Sequence, residues 1–334
     1  MNIGWLCYGF VHRDFIAADG AANIRIPIIE KLINANHRVY FLGHHRQQKH
    51  SSIVFSGCAL QFEYHYKSCQ NIKDAMLTFE LRNMPEIDVL FVEVNAMGTK
   101  SVYHACVINY YLAKNVKIKI WDEDNLYGNY KSKLKILDID INDIEVLTPY
   151  SKIRNKKQTL AYYPYNGDLE LEPIKGIGIT YIGNDYRRRD ALKRFYNNDV
   201  SHIYGKFKDV TWNSSISCKF EGSCKPRDVH SILSRYATSI QVVRKDYANL
   251  GLMTQRMNEV LESGTILLID SAIKDCDKFV ERDYIVSNGD QAVEIYKRIL
   301  KLSSEEYADT VHRQRDFYKK ANTTYDDLLK IILN

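Results

Sequence analysis

Charge gathers at two places in the second half of the chain where a phosphorylated ligand could be held. At the first, Gly183-Asn184-Asp185-Tyr186-Arg187-Arg188-Arg189-Asp190 follows an apolar run, Ile177-Gly178-Ile179-Thr180-Tyr181-Ile182, and leads into a helical pattern from Arg188 to Tyr196. Glycine lets a backbone approach a ligand closely. Arginines at a helix start set fixed charge beside exposed N–H groups, which suits phosphate oxygens. Three arginines in a row read equally well as a solvated face. The second place runs from Met253 to Asp270, a helical pattern from Thr254 to Ser263 followed at once by the strand Thr265 to Asp270. Thr254 can cap that helix and Gly264 can end it in the left-handed conformation. Arg256 and Glu259 stand three apart and share a helical face. From there the arginine could grip a diphosphate and the carboxylate could accept both ribose hydroxyls. A local ion pair worth about 0.3–0.5 kcal/mol is the plainer reading of the same spacing.

Such residues need strands that end where helices begin, and the chain supplies them. Ile3 to Tyr8 is a short apolar run of the kind buried inside a parallel sheet. A loop of small residues, Ala17 to Asn23, and an amphipathic stretch from Ile24 to Asn34 come next. Further strands are expected at Arg38–Leu42, Val89–Glu93, Ile118–Trp121 and Ile144–Leu147. After a lapse in periodicity around Tyr163–Gly176, which carries Pro164, Gly167, Pro173 and Gly176, the alternation restarts. Strands are then expected at Ile177–Ile182, His202–Tyr204, Ser239–Val243 and Thr265–Asp270, with helices at Pro226–Tyr236 and from Ser303 onward. Alternation of this kind argues for βαβ units and mostly parallel sheets. The chain's 334 residues suffice for two such domains. The segment Pro164–Gly176 is the evident linker and hinge.

Several classes drop out. Hydrophobic content of 45% and charged content of 26% are ordinary for a globular chain, which sets aside disorder. No apolar run is long enough to span a membrane, and the start lacks a basic region with a small-residue cleavage site, so a cytoplasmic location is expected. The seven cysteines are scattered, without zinc spacing, and are expected as thiols. No His/Asp/Glu cluster at ligand spacing argues for a structural metal. Gly176-Ile177-Gly178 precedes its strand and lacks a third glycine, so a nicotinamide or flavin site is unsupported, and there is no P-loop. The net charge of +5 permits a polyanionic partner without requiring one.

At the two charged stretches the sequence resembles nucleotide-sugar glycosyltransferases of the GT-B class, and most of all the T-even phage DNA glucosyltransferases. The similarity covers most of the C-terminal half. It rests on the strand before Gly183 with its arginines, Tyr204-Gly205-Lys206, Phe220-Glu221-Gly222 and Arg256-x-x-Glu259, in matching order and spacing. The resemblance implies two Rossmann-like domains facing a cleft, residues 1–165 taking the acceptor and 175–334 the nucleotide sugar, with the C-terminal helix packing back toward the first. It implies Gly183, Asn184, Arg187, Arg189 and Arg256 around the diphosphate and Glu259 on the ribose. In the first half it aligns Asp124, within Trp121-Asp122-Glu123-Asp124-Asn125, with an essential aspartate of those enzymes. A carboxylate there could deprotonate the acceptor hydroxyl or stabilise an oxocarbenium-like transition state, and clustered carboxylates raise one another's pKa. A solvated strand end is the plainer reading of that run. The loop with Asp19, Gly20 and Asn23 is a weaker candidate for contacting the sugar.

The resemblance implies transfer from a UDP-sugar, glucose or a pentose such as arabinose, to a hydroxymethylated pyrimidine of phage DNA. The base would be flipped out and the backbone held by basic segments such as His44–His50 and Lys152–Lys157. A divalent ion, Mg2+ or Mn2+, could accompany the diphosphate, and a monomer is expected. Similarity divides between retaining and inverting enzymes, so the stereochemical outcome stays open. Two rivals also stay open: a glycan, cell-surface polymer or protein acceptor, and a non-catalytic nucleotide-sugar or DNA-binding module.

Overall fold

A computed structural model describes residues 1–8, 22–43, 52–94, 99–123, 126–140, 144–150, 157–205, 207 and 215–334. It contains two parallel sheets, each in its own compact unit. The division falls between Ala161 and Tyr162, and Asp326–Asn334 returns to the first unit.

The first unit holds seven strands: β1 (Asn2–Leu6), β2 (Arg38–Phe41), β3 (Ile53–Phe55), β4 (Val89–Glu93), β5 (Lys117–Trp121), β6 (Glu145–Thr148) and β7 (Gln158–Leu160). Their order is β3-β2-β1-β4-β5-β6-β7, with every pairing parallel. Strand β4 is buried along its whole length and β1 along all but its first residue, as expected of strands covered on both faces. The helices Ala22–Asn34, Thr99–Leu112 and Tyr127–Ile136 each bridge successive parallel strands. Edge strands β3 and β7 were not legible in the sequence. Each has three residues and leaves an apolar side chain half in water, Val54 and Leu160.

The second unit repeats the plan with β8 (Ile179–Ile182), β9 (Ser201–Tyr204), β10 (Lys219–Gly222), β11 (Thr238–Gln241), β12 (Ile266–Asp270) and β13 (Ile285–Val286), in the order β10-β9-β8-β11-β12-β13. Both sheets therefore follow the Rossmann order, growing outward on either side of their first strand. Both also place a glycine where two strands end together. A side chain on Gly43 would strike the Cys7 carbonyl oxygen at 1.7 Å, and one on Gly205 would strike the Gly183 carbonyl oxygen at 1.8 Å.

The segment expected as a hinge is bonded into the second unit. Asn258 donates to the carbonyls of Tyr163 (3.0 Å) and Pro164 (2.9 Å), and the Asn166 N–H donates to Glu262 Oε1 at 2.9 Å. The Leu171 N–H reaches the Glu262 carbonyl at 2.7 Å, while Arg315 donates to the Leu171 carbonyl at 2.7 Å. These bonds make the stretch from Tyr162 onward part of the second unit. The helix Ser304–Ala321 opens with a capping box between Ser303 and Glu306. The last helix, Tyr325–Leu333, joins the first unit from Asp326 on, where Lys119 donates to the Ile331 carbonyl. Among the described residues no helix is long and apolar enough to cross a membrane.

Candidate functional site

In the second sheet the strand order reverses between β8 and β11. Open parallel sheets take ligands at the carboxyl ends of strands at such a switch point. There the structure has a cavity of about 1090 Å³, with Asn184, Arg187, Arg189, Arg194, Lys245 and Asp270 in its wall. The helix Arg189–Tyr196 begins at this cavity, and its N-cap residue Arg188 makes no side-chain capping bond; the positive end of the helix dipole there suits an anion.

The loop after β8 is shaped by its own side chains. Any side chain on Gly183 would meet the Tyr181 hydroxyl at 2.4 Å, so packing requires glycine here as much as any ligand would. Tyr181 is buried and donates its hydroxyl to the Asn184 carbonyl at 3.0 Å. Asn184 Oδ1 accepts the Tyr186 N–H (3.1 Å) and Arg188 Nη1 (2.7 Å), an Asx turn that sets the path into the helix. Arg187 completes it in the left-handed region, φ 55°, with its exposed guanidinium over the Tyr186 ring. Arg189 is engaged by Asp185, with Nε 2.8 Å from Oδ2. The middle arginine, Arg188, is half-buried, and its Nε is enclosed with no hydrogen-bond partner.

Arg256 and Glu259 stand near the start of the helix Gln255–Glu262 with Arg256 Nη1 2.5 Å from Glu259 Oε2. Those two atoms touch as an ion pair without the alignment of a hydrogen bond. Glu259 is only 1% exposed and Arg256 is 21% exposed. Thr254 occupies the N-cap position, but its hydroxyl makes no capping bond, contrary to the expectation from sequence. Gly264 does take the left-handed conformation, φ 76°. Burial pushes the Tyr181 hydroxyl above its ordinary pKa, and the charges of Arg188 and Arg256 pull it partly back.

The first unit treats its acids differently. Asp122 is fully buried and accepts three hydrogen bonds, and Glu123 is buried as well. Asp124, Asp19 and Gly20 lie outside the described residues, as does the His44–His50 segment and all of Lys152–Lys157 except Lys157. Asn23 falls within the helix Ala22–Asn34, its side chain outside the description. At the switch point of this sheet, between β1 and β4, Glu93 accepts Arg25 Nε (2.7 Å) and Nη2 (2.6 Å) together with Trp5 Nε1 (2.6 Å).

Sequence reasoning passed over Arg188, the Arg194–Asp270 pair and the Arg25–Glu93 pair. Arg194 and Asp270 are 76 residues apart and meet at 2.5 Å on the cavity wall. Burial raises the Asp270 carboxyl, opposed by the Ala272 N–H and Arg194. A strand ending in a lone carboxylate, Ile266-Leu267-Leu268-Ile269-Asp270, was the signal available for it. Nothing local marks Arg188 over its two neighbours.

Neither a family model nor a curated protein sequence matches the chain. Solved structures do. T4 phage beta-glucosyltransferase in complex with its UDP-glucose substrate is 13% identical with a TM-score of 0.64, over 99% of this chain and 99% of that one. The same phage enzyme with UDP and Mn2+ is 14% identical at a TM-score of 0.64, over 99% and 98%. Sucrose-phosphate synthase from Thermosynechococcus elongatus is 10% identical at a TM-score of 0.60, over 99% and 97%. Likeness at such identities is one of fold, and the fold of this chain is the two-Rossmann architecture of GT-B glycosyltransferases.

Proposed function

We propose that this chain is a UDP-sugar-dependent glycosyltransferase whose acceptor is a hydroxymethylated pyrimidine in DNA. One observation carries the reading. The residues picked out by sequence for a nucleotide sugar gather at the carboxyl ends of the second sheet, in a fold shared end to end with an enzyme solved with UDP-glucose. Arg187 and Arg189, which line the cavity, would hold the diphosphate together with Arg256, with Arg188 beside them. Together with the uncapped start of Arg189–Tyr196 they would meet the charge that grows on the leaving UDP. Glu259 would accept the ribose hydroxyls. In the first unit Asp124 would take the proton of the acceptor hydroxyl as its oxygen attacks the anomeric carbon. A Mg2+ or Mn2+ ion accompanying the diphosphate would have the carboxylates of the cavity wall, Asp185, Asp190 and Asp270, within its surroundings. Asp185 and Asp270 each face an arginine, and among the described residues no three metal-ligating side chains converge.

Glucose is the donor favoured by the likeness to the phage enzyme, with a pentose as the alternative, and the chain is taken to act as a monomer. A glycan, cell-surface polymer or protein acceptor is the second reading, since the fold is shared with glycosyltransferases other than the phage enzyme, such as a sucrose-phosphate synthase. The test is incubation with DNA containing hydroxymethylcytosine or hydroxymethyluracil and a panel of UDP-hexoses and UDP-pentoses, read by nucleoside mass spectrometry. A glycosylated nucleoside is expected. UDP-sugar turnover without any nucleoside product, and DNA affinity insensitive to salt, would move the acceptor to the second reading. No turnover of any donor would leave only a binding module.

A further inference from the structure

Asn258 stands on the helix Gln255–Glu262 between the two residues read as nucleotide contacts, about 200° round the helix from Arg256 and about 100° from Glu259. It is fully buried. Its amide nitrogen has two hydrogens, and the carbonyls of Tyr163 (3.0 Å) and Pro164 (2.9 Å) take them, with Gln255 Oε1 further off at 3.2 Å. Its amide oxygen accepts the Tyr318 hydroxyl (2.6 Å) and Asn322 Nδ2 (3.3 Å). The Asn322 side chain in turn accepts the Thr323 N–H at 2.9 Å. Thr323 then reaches the segment that Asn258 holds: its hydroxyl accepts the Tyr162 N–H (2.9 Å) and its carbonyl the Tyr165 N–H (3.0 Å). The division between the units falls before Tyr162 and again after Tyr325. One asparagine, on the side of its helix away from Arg256, therefore gathers the segment after the first division and the segment before the second.

We infer that Asn258 is a positioning residue for nucleotide binding: it locks the helix carrying Arg256 and Glu259 onto these two segments, so that a nucleotide held on one side of the helix firms the segments bonded to the other. This rests on the reading of Arg256 and Glu259 as diphosphate and ribose contacts given above. An apolar side chain could fill a buried place with no partners to find, whereas a buried amide is costly unless its bonds are made. Here all of them are made, and such a network admits one orientation of the amide. Glu262, one turn further on, continues the same row by accepting the Asn166 N–H at 2.9 Å. The helix cannot slide or roll without breaking several of these bonds at once. That keeps Arg256 and Glu259 in register with a ligand whose charge-assisted bonds depend on distance and angle. The coupling is reciprocal, because whatever a nucleotide gains from a fixed helix returns as stabilisation of the segments that fix it.

The test uses the full chain with Asn258→Ala, the milder Tyr318→Phe, and Arg256→Ala as the control on the nucleotide reading. Tyr318→Phe removes one bond to the Asn258 oxygen and leaves both bonds to the Tyr163 and Pro164 carbonyls. UDP affinity is titrated at a temperature where every variant is folded. Amide exchange at Tyr162 and Tyr165 is followed with and without saturating UDP, relative to the slowest amides of the helix Gly289–Leu300, which report overall unfolding. UDP affinity is expected to fall roughly 10-fold in Asn258→Ala, the lower end of what losing a charge-assisted bond outright costs. A fall of roughly 3-fold is expected in Tyr318→Phe. In the wild-type chain UDP should slow exchange at the two amides, and in Asn258→Ala most of that slowing should be lost. Variants that melt earlier yet bind UDP as the wild type does, with the slowing intact, would make Asn258 structural only and overturn its assignment. Wild-type amides that ignore UDP would overturn it too. Unchanged UDP affinity in Arg256→Ala is a different result, the failure of the nucleotide reading, and the role of Asn258 falls with it. Should Asn258→Ala not fold, Tyr318→Phe decides.

Discussion

Replacing Arg256 with alanine tests the candidate site where its two readings diverge most. As a ligand group, Arg256 gives a diphosphate oxygen a charge-assisted hydrogen bond, worth about 1.5–3 kcal/mol. That corresponds to a rise in the UDP dissociation constant of about 10- to 150-fold. As half of a structural pair, Arg256 neutralises Glu259, which is 1% exposed and 2.5 Å away. Removing one partner of a fully buried pair costs about 3–5 kcal/mol of stability. Here the cost should be smaller, because Arg256 is 21% exposed and water can reach the carboxylate once the arginine is gone. Both effects are expected together, so they must be read separately. Isothermal titration with UDP, at a temperature where melting curves show every variant folded, gives the first, and the melting shift gives the second. Arg256→Lys keeps the charge and loses the planar fork, so its affinity should fall between wild type and Arg256→Ala. A folded Arg256→Ala that melts earlier but binds UDP with unchanged affinity would make the pair purely structural and remove Arg256 from the site.

Gly205→Ala should be destabilising by about 1–3 kcal/mol and should weaken UDP binding as well, because the new methyl group must displace the Gly183 backbone. A stability loss with intact affinity would detach that loop from the ligand. In the first unit Glu93→Gln removes the negative charge from the buried pair with Arg25 and should cost up to about 3–5 kcal/mol in denaturant unfolding, whereas Arg25→Met with Glu93→Leu together should cost much less. Equal losses would contradict this. Burial raises the Glu262 carboxyl above its ordinary range, opposed by His230 and the Asn166 N–H. The folded state then holds this proton more tightly than the unfolded chain, so the group's contribution is fully present at low pH and is lost as pH rises through the raised value. Glu262→Gln should flatten that decline in urea unfolding measured from about pH 4 to 7, and an unchanged slope would show that another group causes it.

Local spacing alone settled a good deal here. Apolar runs of four to five residues alternating with amphipathic stretches fixed the central strands of both sheets, because strands covered on both faces have nowhere to put polar side chains. The three-residue offset of Arg256 and Glu259 placed them side by side, since neighbours on a helix follow from its 3.6-residue turn. Edge strands β3 and β7 carried no comparable signal, being short and half exposed. The tertiary structure decided which charges are already engaged. Arg187, Arg188 and Arg189 are equivalent as letters, but Asp185 takes one, the Tyr186 ring another, and the Asn184 side chain holds the middle one. Likewise Asp122 looks like a base beside Asp124 until Leu126, Tyr127 and Tyr150 converge on it. The stretch 163–171 looks like a linker until Asn258, Glu262 and Arg315 bind its backbone. In each case the partner lies on another turn, strand or helix, and only the packed sheets bring it within hydrogen-bonding distance.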